Sequence, residues 1–280
     1  MIRKIRFIDT IEEPHCYKDE EYPYLNWSSL IKMLEPEPEW EFWRMYKAVE
    51  KVLNGGKETT KEGIDPYHWY QIKSALLNNH SKIWNYVEKS NYKSIFHKAE
   101  NDIKIAWKEA QTAGLEKGSK YHQEQEDKAY QEGVMTIARK SVAMVAQYNY
   151  DLWSLPDGAY AELLVYWAPL RLCGTADKVF IETIGDTRYI DIDDYKTNKE
   201  IKETRYDKMK SPINHLWANT LVKYQLQISF YAYILSLWGF KVRSTRFTHH
   251  VGVIDIPYEF DFMKNEMEDI FEWRRKQLSV

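Results

Sequence analysis

Apolar and polar positions alternate with a period of two in the middle of the chain. Residues 179–181 (Val-Phe-Ile) and 189–192 (Tyr-Ile-Asp-Ile) are rich in β-branched and aromatic side chains, and Gly185-Asp186 lies between them. Such side chains favour strands, and a Gly-Asp pair favours a turn. The pattern therefore predicts a β-hairpin within residues 171–197.

Other segments show the 3.6-residue period of helices or the character of short strands. Helices are predicted over residues 30–34, 39–53, 66–77, 81–87, 94–113, between about 122 and 130, and over 137–148, 220–238 and 260–277. Strands are predicted over 5–8, around 15–17, and over 160–167, 241–248 and 252–256, with a bend at His249-His250. This order predicts an α/β fold. A central mixed sheet flanked by helices would occupy residues 114–280, after a mainly helical N-terminal elaboration over residues 1–113.

The predicted hairpin carries charges on its buried face. Ile190 and Ile192 share one strand face with Asp194 and Lys196, because side chains two apart point to the same side. An ionised carboxylate on such a face is costly unless it is paired or holds a metal. Asp177 can lie beside Asp194 on the neighbouring strand, and two adjacent carboxylates repel each other unless a cation lies between them. A hairpin with solvated charges is the alternative.

Oxygen ligands of this kind suit Mg²⁺ or Mn²⁺. A bound metal of this class lowers the pKa of a water molecule and neutralises charge on a phosphate. A nearby lysine can then orient the water or stabilise the transition state. The grouping of Asp177, Asp194 and Lys196 therefore points to phosphodiester cleavage.

Two further segments extend the pattern. Gly174-Thr-Ala-Asp177 followed by Asp194-Tyr-Lys196-Thr197 resembles the PD-(D/E)xK nuclease superfamily in its RecB-like exonuclease branch. Gly118-Ser-Lys-Tyr-His122 and Gln227-Ile-Ser-Phe-Tyr231 are similar to the flanking motifs of that branch. The opening His15-x-Tyr17 is similar to that of phage-type and mitochondrial genome maintenance exonucleases. The resemblance covers about residues 114–235 and implies a restriction-endonuclease-like core.

The resemblance also implies roles for individual residues. The implied metal ligands are His122, Asp177, Asp194 and the carbonyl of Tyr195. Glu162 would act close to the metal, and Lys196 would activate the attacking water. Gln227 and Tyr231 would position the substrate strand. Structural alternatives remain for these residues. His122 could lie on an amphipathic helix without binding a metal, and Glu162 could face solvent on an edge strand. Gln227 and Tyr231 could belong to a core stripe with a capping amide.

A polar segment follows the hairpin. Residues 198–223 contain six basic and three acidic side chains. A basic flap beside a metal site suits contact with backbone phosphates, so Lys199 and Lys202 are candidates for substrate binding. A plain solvated loop is the alternative.

Composition narrows the class of protein. The chain is 44% hydrophobic and 29% charged, which is typical of globular domains, and no apolar run reaches the roughly 20 residues of a membrane span. Its two cysteines, Cys16 and Cys173, cannot build a disulfide framework or the four-cysteine iron–sulfur cluster of some RecB-like nucleases. The N-terminus lacks a secretory signal, so the expected location is cytoplasmic. A net charge of −3 argues against a general nucleic-acid coat but is compatible with a nuclease.

Together these observations predict a Mg²⁺- or Mn²⁺-dependent DNA exonuclease, of phage type, in recombination, replication or DNA processing. Its expected partners are DNA and recombination or replication proteins. Two alternatives remain open: a structure-specific or restriction-type endonuclease, and a non-catalytic DNA-binding protein on a nuclease fold. The sequence leaves polarity, strand preference and oligomeric state undecided.

Overall fold

The computed structural model describes residues 6–8, 16–19, 22–37, 40–54, 70, 74, 87–88, 93–137, 140–147 and 151–279. The chain divides into a larger unit, formed by Met1–Pro36 with Lys117–Val280, and a smaller unit, Glu37–Glu116. The predicted helices over 66–77 and 81–87 lie almost wholly outside the described residues, as does His15.

The described elements follow in chain order. They are β1 (Arg6–Ile8), β2 (Cys16–Lys18), β3 (Pro23–Asn26), α1 (Trp27–Leu34), α2 (Trp40–Asn54), α3 (Lys93–Glu132), β4 (Val134–Ile137), β5 (Lys140–Ala143), β6 (Gly158–Trp167), β7 (Leu172–Ile184), β8 (Thr187–Lys196), α4 (Thr220–Leu237), β9 (Lys241–Val251), β10 (Ile254–Phe260) and α5 (Lys264–Leu278). Short 3₁₀ helices cover Leu152–Ser154 and Ala168–Leu170. None of the helices in the described part of the chain is long and apolar enough to cross a membrane.

The larger unit is built on a mixed eight-stranded sheet. The strand order is β1-β2-β3-β7-β8-β9-β10, and β6 pairs with β7 on its other side. The predicted hairpin is confirmed: β7 and β8 are antiparallel and turn at Gly185, whose φ of +59° suits glycine. Helix α4 packs on one face against β6 to β9, and β4 packs on β6 and β8. The structure thus confirms an α/β fold with a mixed sheet flanked by helices.

The N-terminal strands belong to this sheet. Strand β3 runs parallel to β7, with Leu25 opposite Leu172 and Asn26 opposite Cys173. Residues up to Pro36 therefore group with the larger unit, rather than with the helical elaboration predicted for residues 1–113. Within the smaller unit, apolar residues of α2 and the first half of α3 form a separate cluster around Val49 and Phe96.

The sheet splits where β7 and β8 separate. Their register ends at Lys178 opposite Asp193, whereas β8 continues to Lys196 in parallel pairing with β9. At its N-terminal end, β7 pairs on this edge with β3, through Leu172 and Cys173. Asp177 therefore lies at the split, next to Lys178, which is the last residue of β7 that pairs with β8.

Three sequence predictions of secondary structure are wrong. Residues 94–113 and 122–130 form one helix, α3, with Gly114 and Gly118 inside it, because a glycine costs a helix only about 1 kcal/mol. The sequence predicts a helix over residues 137–148, but residues 134–137 and 140–143 form the antiparallel strands β4 and β5, and buried and exposed side chains alternate along β4. His249 and His250 lie within β9, and the turn is at Gly252, with a φ of +65°.

Candidate metal centre

Three side chains from three elements converge at the split in the sheet. His122 comes from α3, Glu162 from β6 and Asp177 from β7. The Nδ1 atom of His122 lies 3.3 Å from Oδ2 of Asp177 and 3.9 Å from Oε1 of Glu162. One ligand atom from each residue lies within 4.8 Å of the other two, so these three side chains could hold a metal ion.

The backbone at Glu162 is unusual. Its φ of +49° is left-handed, although it is not a glycine. The β6–β7 register passes from Ala161 opposite Lys178 to Leu163 opposite Ala176, and so skips Glu162 and Asp177. Left-handed conformations of this kind cost about 1–3 kcal/mol and occur most often at functional sites. The local irregularity turns the carboxylate of Glu162 toward His122 and Asp177.

The three groups perturb one another's proton affinity. Burial alone would lower the pKa of His122, but the neighbouring carboxylates of Asp177 and Glu162 raise it to about 10. Burial would raise the pKa of Asp177, but contact with His122 holds it below its usual range. The backbone amide of Tyr195 supports the charged form by donating to Oδ2 of Asp177 at 2.7 Å. A metal ion bound through His122 would therefore have to displace a proton from its imidazole, because a histidine ligand must be neutral.

Asp194 and Lys196 lie beside this group, on the buried face of β8. Both are buried, as the alternation of the sequence predicted, and the ammonium of Lys196 contacts the carboxylate of Asp194. Among the described residues, no donor makes a well-directed hydrogen bond to either oxygen of Asp194. Burial, together with the charge of Asp177, raises the pKa of Asp194 to about 7. A buried carboxylate with unused acceptor oxygens fits a nearby cation.

Helix α4 holds Lys196 in place. Oε1 of Gln227 accepts a hydrogen bond from Nζ of Lys196 at 3.0 Å, and Nε2 of Gln227 donates to the hydroxyl of Tyr231 at 3.0 Å. Tyr231 is only 4% exposed and contacts Gln227, and its part in positioning a substrate strand stays a prediction. A Cβ added at Gly174 would lie 2.6 Å from the ring of Tyr231, which explains a glycine at this position of β7.

One aromatic residue of the site, Tyr224, belongs to none of the predicted motifs. Tyr224 lies three residues before Gln227 on α4, and Nζ of Lys196 is 4.6 Å from the centre of its ring. The hydroxyl of Tyr224 donates to Oδ1 of Asn198. The spacing Tyr-x-x-Gln-x-x-x-Tyr places all three side chains on one helix face, and this signal could have identified Tyr224 from the sequence.

The remaining candidates lie apart from this cluster or stay predictions. The ring of Tyr195 packs against that of His122, with centroids 5.9 Å apart, while the use of its carbonyl as a metal ligand remains a prediction. Lys199 and Lys202 are exposed, and Nζ of Lys202 lies 3.2 Å from Oε1 of Glu200. Within the part of the chain that the structure describes, these two lysines make no ion pair with the metal-binding group.

Comparison with known proteins gives no family for this chain. No protein-family model matches the sequence, and a search of curated proteins finds no match.

Proposed function

We propose that this protein is a metal-dependent nuclease. The observation that carries the proposal is the convergence of His122, Glu162 and Asp177 next to the buried pair Asp194 and Lys196. Two oxygen-bearing groups and an imidazole form a donor set for a divalent cation, and a lysine held beside them supplies a fixed positive charge. This combination suits the hydrolysis of a phosphodiester.

The donor set favours Mg²⁺ or Mn²⁺ as the metal. Carboxylates are hard ligands that both ions accept, and one imidazole is compatible with Mn²⁺ in particular. His122, Glu162 and Asp177 would hold the ion, with Asp194 beside them. A bound divalent cation lowers the pKa of a water and neutralises charge on the phosphate.

The other residues contribute position and charge. Burial would lower the pKa of Lys196, but Asp194 and Asp177 outweigh this effect and raise it. Lys196 is therefore protonated, so it orients a water or stabilises developing negative charge rather than accepting a proton. Gln227 fixes the ammonium in place, because its oxygen accepts one of the three N–H groups of Lys196. Such preorganisation is the main source of electrostatic catalysis.

The resemblance of the sequence motifs is the basis for two further parts of the proposal: the substrate is DNA, and cleavage proceeds from its ends. The resemblance is also the basis for a role in recombination, replication or DNA processing, and for partner proteins from those processes. An endonuclease would use the same site, and a non-catalytic DNA-binding protein would have no use for the positioned lysine.

The test is a cleavage assay with end-labelled single- and double-stranded DNA and with covalently closed circles, in Mg²⁺, Mn²⁺ or EDTA. We expect linear DNA to be degraded with either metal, no cleavage in EDTA, and intact circles. Asp177→Asn should be inactive, whereas Asp127→Asn should be active, because Asp127 is exposed on α3 and, among the described residues, its side chain accepts a hydrogen bond from Gln123 and makes no ion pair. Nicking of circles would favour the endonuclease, and full activity of Asp177→Asn would overturn the proposal.

A further inference from the structure

Among the described residues, three side chains contact the ammonium of Lys196. Asp194 forms an ion pair with it, Oε1 of Gln227 accepts a hydrogen bond from it, and the centre of the Tyr224 ring lies 4.6 Å from Nζ. The face of an aromatic ring carries partial negative charge and attracts a cation within about 6 Å of its centre. Lys196 is only 9% exposed, so water screens this attraction little. Tyr224 therefore helps to determine where the positive charge of Lys196 lies.

The ring of Tyr224 is held in turn by an aromatic residue of β9. Its centre lies 5.6 Å from that of the Phe247 ring, and the two planes meet edge to face at 69°. Phe247 is fully buried, stands opposite Asp194 in the parallel register of β8 and β9, and stacks on Tyr258 at 4.7 Å. Edge-to-face contacts of this kind favour a defined orientation of both rings. Phe247 thus limits how far the Tyr224 ring can turn away from Lys196.

The hydroxyl of Tyr224 is anchored by a second route. It donates to Oδ1 of Asn198, which lies two residues after Lys196 in the sequence. The backbone carbonyl of Asn198 accepts a hydrogen bond from Nε2 of His249 at 2.7 Å, and because a carbonyl only accepts, Nε2 must carry the hydrogen. His249 is buried and stands opposite Lys196 in the register of β8 and β9. The contacts therefore run from His249 through Asn198 and Tyr224 back to Lys196.

We propose that Tyr224 is a positioning residue for Lys196, and that Asn198 acts through Tyr224 by holding its hydroxyl. The proposal rests on the proposed hydrolysis, in which Lys196 orients a water or stabilises developing negative charge. A charge contributes most when it is fixed in place before the reaction begins. An ammonium that is less well placed therefore slows the chemical step and leaves substrate binding nearly unchanged.

Two substitutions separate the ring of Tyr224 from its hydroxyl, with kcat and KM measured for DNA cleavage in Mn²⁺. Tyr224→Leu removes both groups and should lower kcat by about tenfold with KM nearly unchanged, because the ammonium loses one of its contacts. Tyr224→Phe keeps the ring and removes the anchor, so it should lower kcat by only about threefold. A rise in KM with unchanged kcat would make Tyr224 a substrate contact and would overturn the positioning role.

Tyr233→Leu is the matched control on the same helix. Its ring packs on Phe271 and Phe262, with centroids 4.6 and 6.5 Å apart, and within the described part of the chain no interaction joins it to Lys196. Thermal unfolding measures the stability that each variant loses. We expect Tyr233→Leu to lose stability and to keep the kcat of the wild type. An equal fall of kcat in Tyr233→Leu and Tyr224→Leu would reduce the effect to helix packing and refute the proposal.

A double-mutant cycle tests the link between Asn198 and Tyr224. Asn198→Ala removes the side-chain acceptor and keeps the backbone carbonyl that His249 binds, so it should lower kcat as much as Tyr224→Phe does. The double variant should be no slower than either single variant, because both changes remove the same hydrogen bond. Effects on kcat that multiply in the double variant would show that the two residues act independently, against the proposal.

A nuclear magnetic resonance measurement in EDTA keeps this inference separate from the nuclease function. In protein with isotope-labelled lysine, the ring current of Tyr224 should displace the Cε resonance of Lys196, which is assigned by its absence in Lys196→Arg. The displacement should disappear in Tyr224→Leu and persist in Tyr224→Phe and Tyr233→Leu. An unchanged resonance in folded Tyr224→Leu would overturn the positioning role. Absence of DNA cleavage by the wild type would instead refute the nuclease proposal, and this spectrum would still decide whether Tyr224 holds Lys196.

Discussion

Replacing Asp194 by asparagine should stabilise the metal-free protein at neutral and alkaline pH. The carboxylate of Asp194 is buried beside Asp177, so its ionisation is opposed by burial and by a like charge, and its pKa rises from 3.8 to about 7. Asparagine has nearly the same shape and cannot ionise. The substitution therefore removes the repulsion and the cost of burying the charge, and it also removes the contact with Lys196.

The magnitude and the sign follow from proton linkage. The unfolded chain releases the proton of Asp194 near pH 3.8, whereas the folded protein keeps it until about pH 7. The contribution of Asp194 to the free energy of unfolding of the wild type therefore falls progressively between about pH 4 and 7, and it stays low above pH 7. A rise of the pKa from 3.8 to about 7, at about 1.4 kcal/mol for each tenfold change in proton affinity, raises the free energy of unfolding of Asp194→Asn above that of the wild type by up to about 4 kcal/mol at pH 8 and by close to nothing at pH 4.

The assay is denaturant unfolding of both proteins in EDTA between pH 4 and 8. Asp193→Asn is the matched control, because Asp193 is equally buried on the same strand but pairs with Lys178 and Arg246. Its loss leaves two buried cations uncompensated, so this variant should be less stable than the wild type. A pH-independent effect of Asp194→Asn, or a loss of stability at pH 8, would refute the reasoning.

Three further substitutions test residues that lie around the metal-binding group. Lys196→Ala should lower kcat by about 10²–10³ and leave KM nearly unchanged in DNA cleavage, because its charge acts mainly in the transition state; recovery of the rate at saturating DNA would instead make Lys196 a phosphate clamp. Gln227→Met should lower kcat by less and also leave KM unchanged; a change confined to KM would indicate contact with substrate. Gly174→Ala should cost about 1–3 kcal/mol in denaturant unfolding, since its Cβ would meet the Tyr231 ring at 2.6 Å; wild-type stability would contradict this packing.

Strand alternation made one half of the site predictable from the sequence. The period of two placed Asp194 and Lys196 on one buried face, and the structure confirms the burial of both. The four-residue spacing of Gln227 and Tyr231 placed them on one face of α4, where they contact each other. These relations depend only on local geometry, which the sequence pattern reports directly.

The rest of the site depends on structural features that leave no local pattern in the sequence. The left-handed backbone of Glu162 and the split between β7 and β8 arise from strand pairing across the sheet. The burial of Tyr231 against Gly174 is likewise a contact between distant segments. Helix α3 continues through Gly114 and Gly118 although glycine usually marks a break, because one glycine costs a helix only about 1 kcal/mol.

Anomalous diffraction from crystals grown with Mn²⁺ tests the central claim most directly, because it locates the metal independently of activity. The account predicts a peak within bonding distance of His122, Glu162 and Asp177, and no peak at that position in Asp177→Asn crystals grown under the same conditions. Saturating Mn²⁺ that leaves this position empty, or that binds only at other residues, would contradict it.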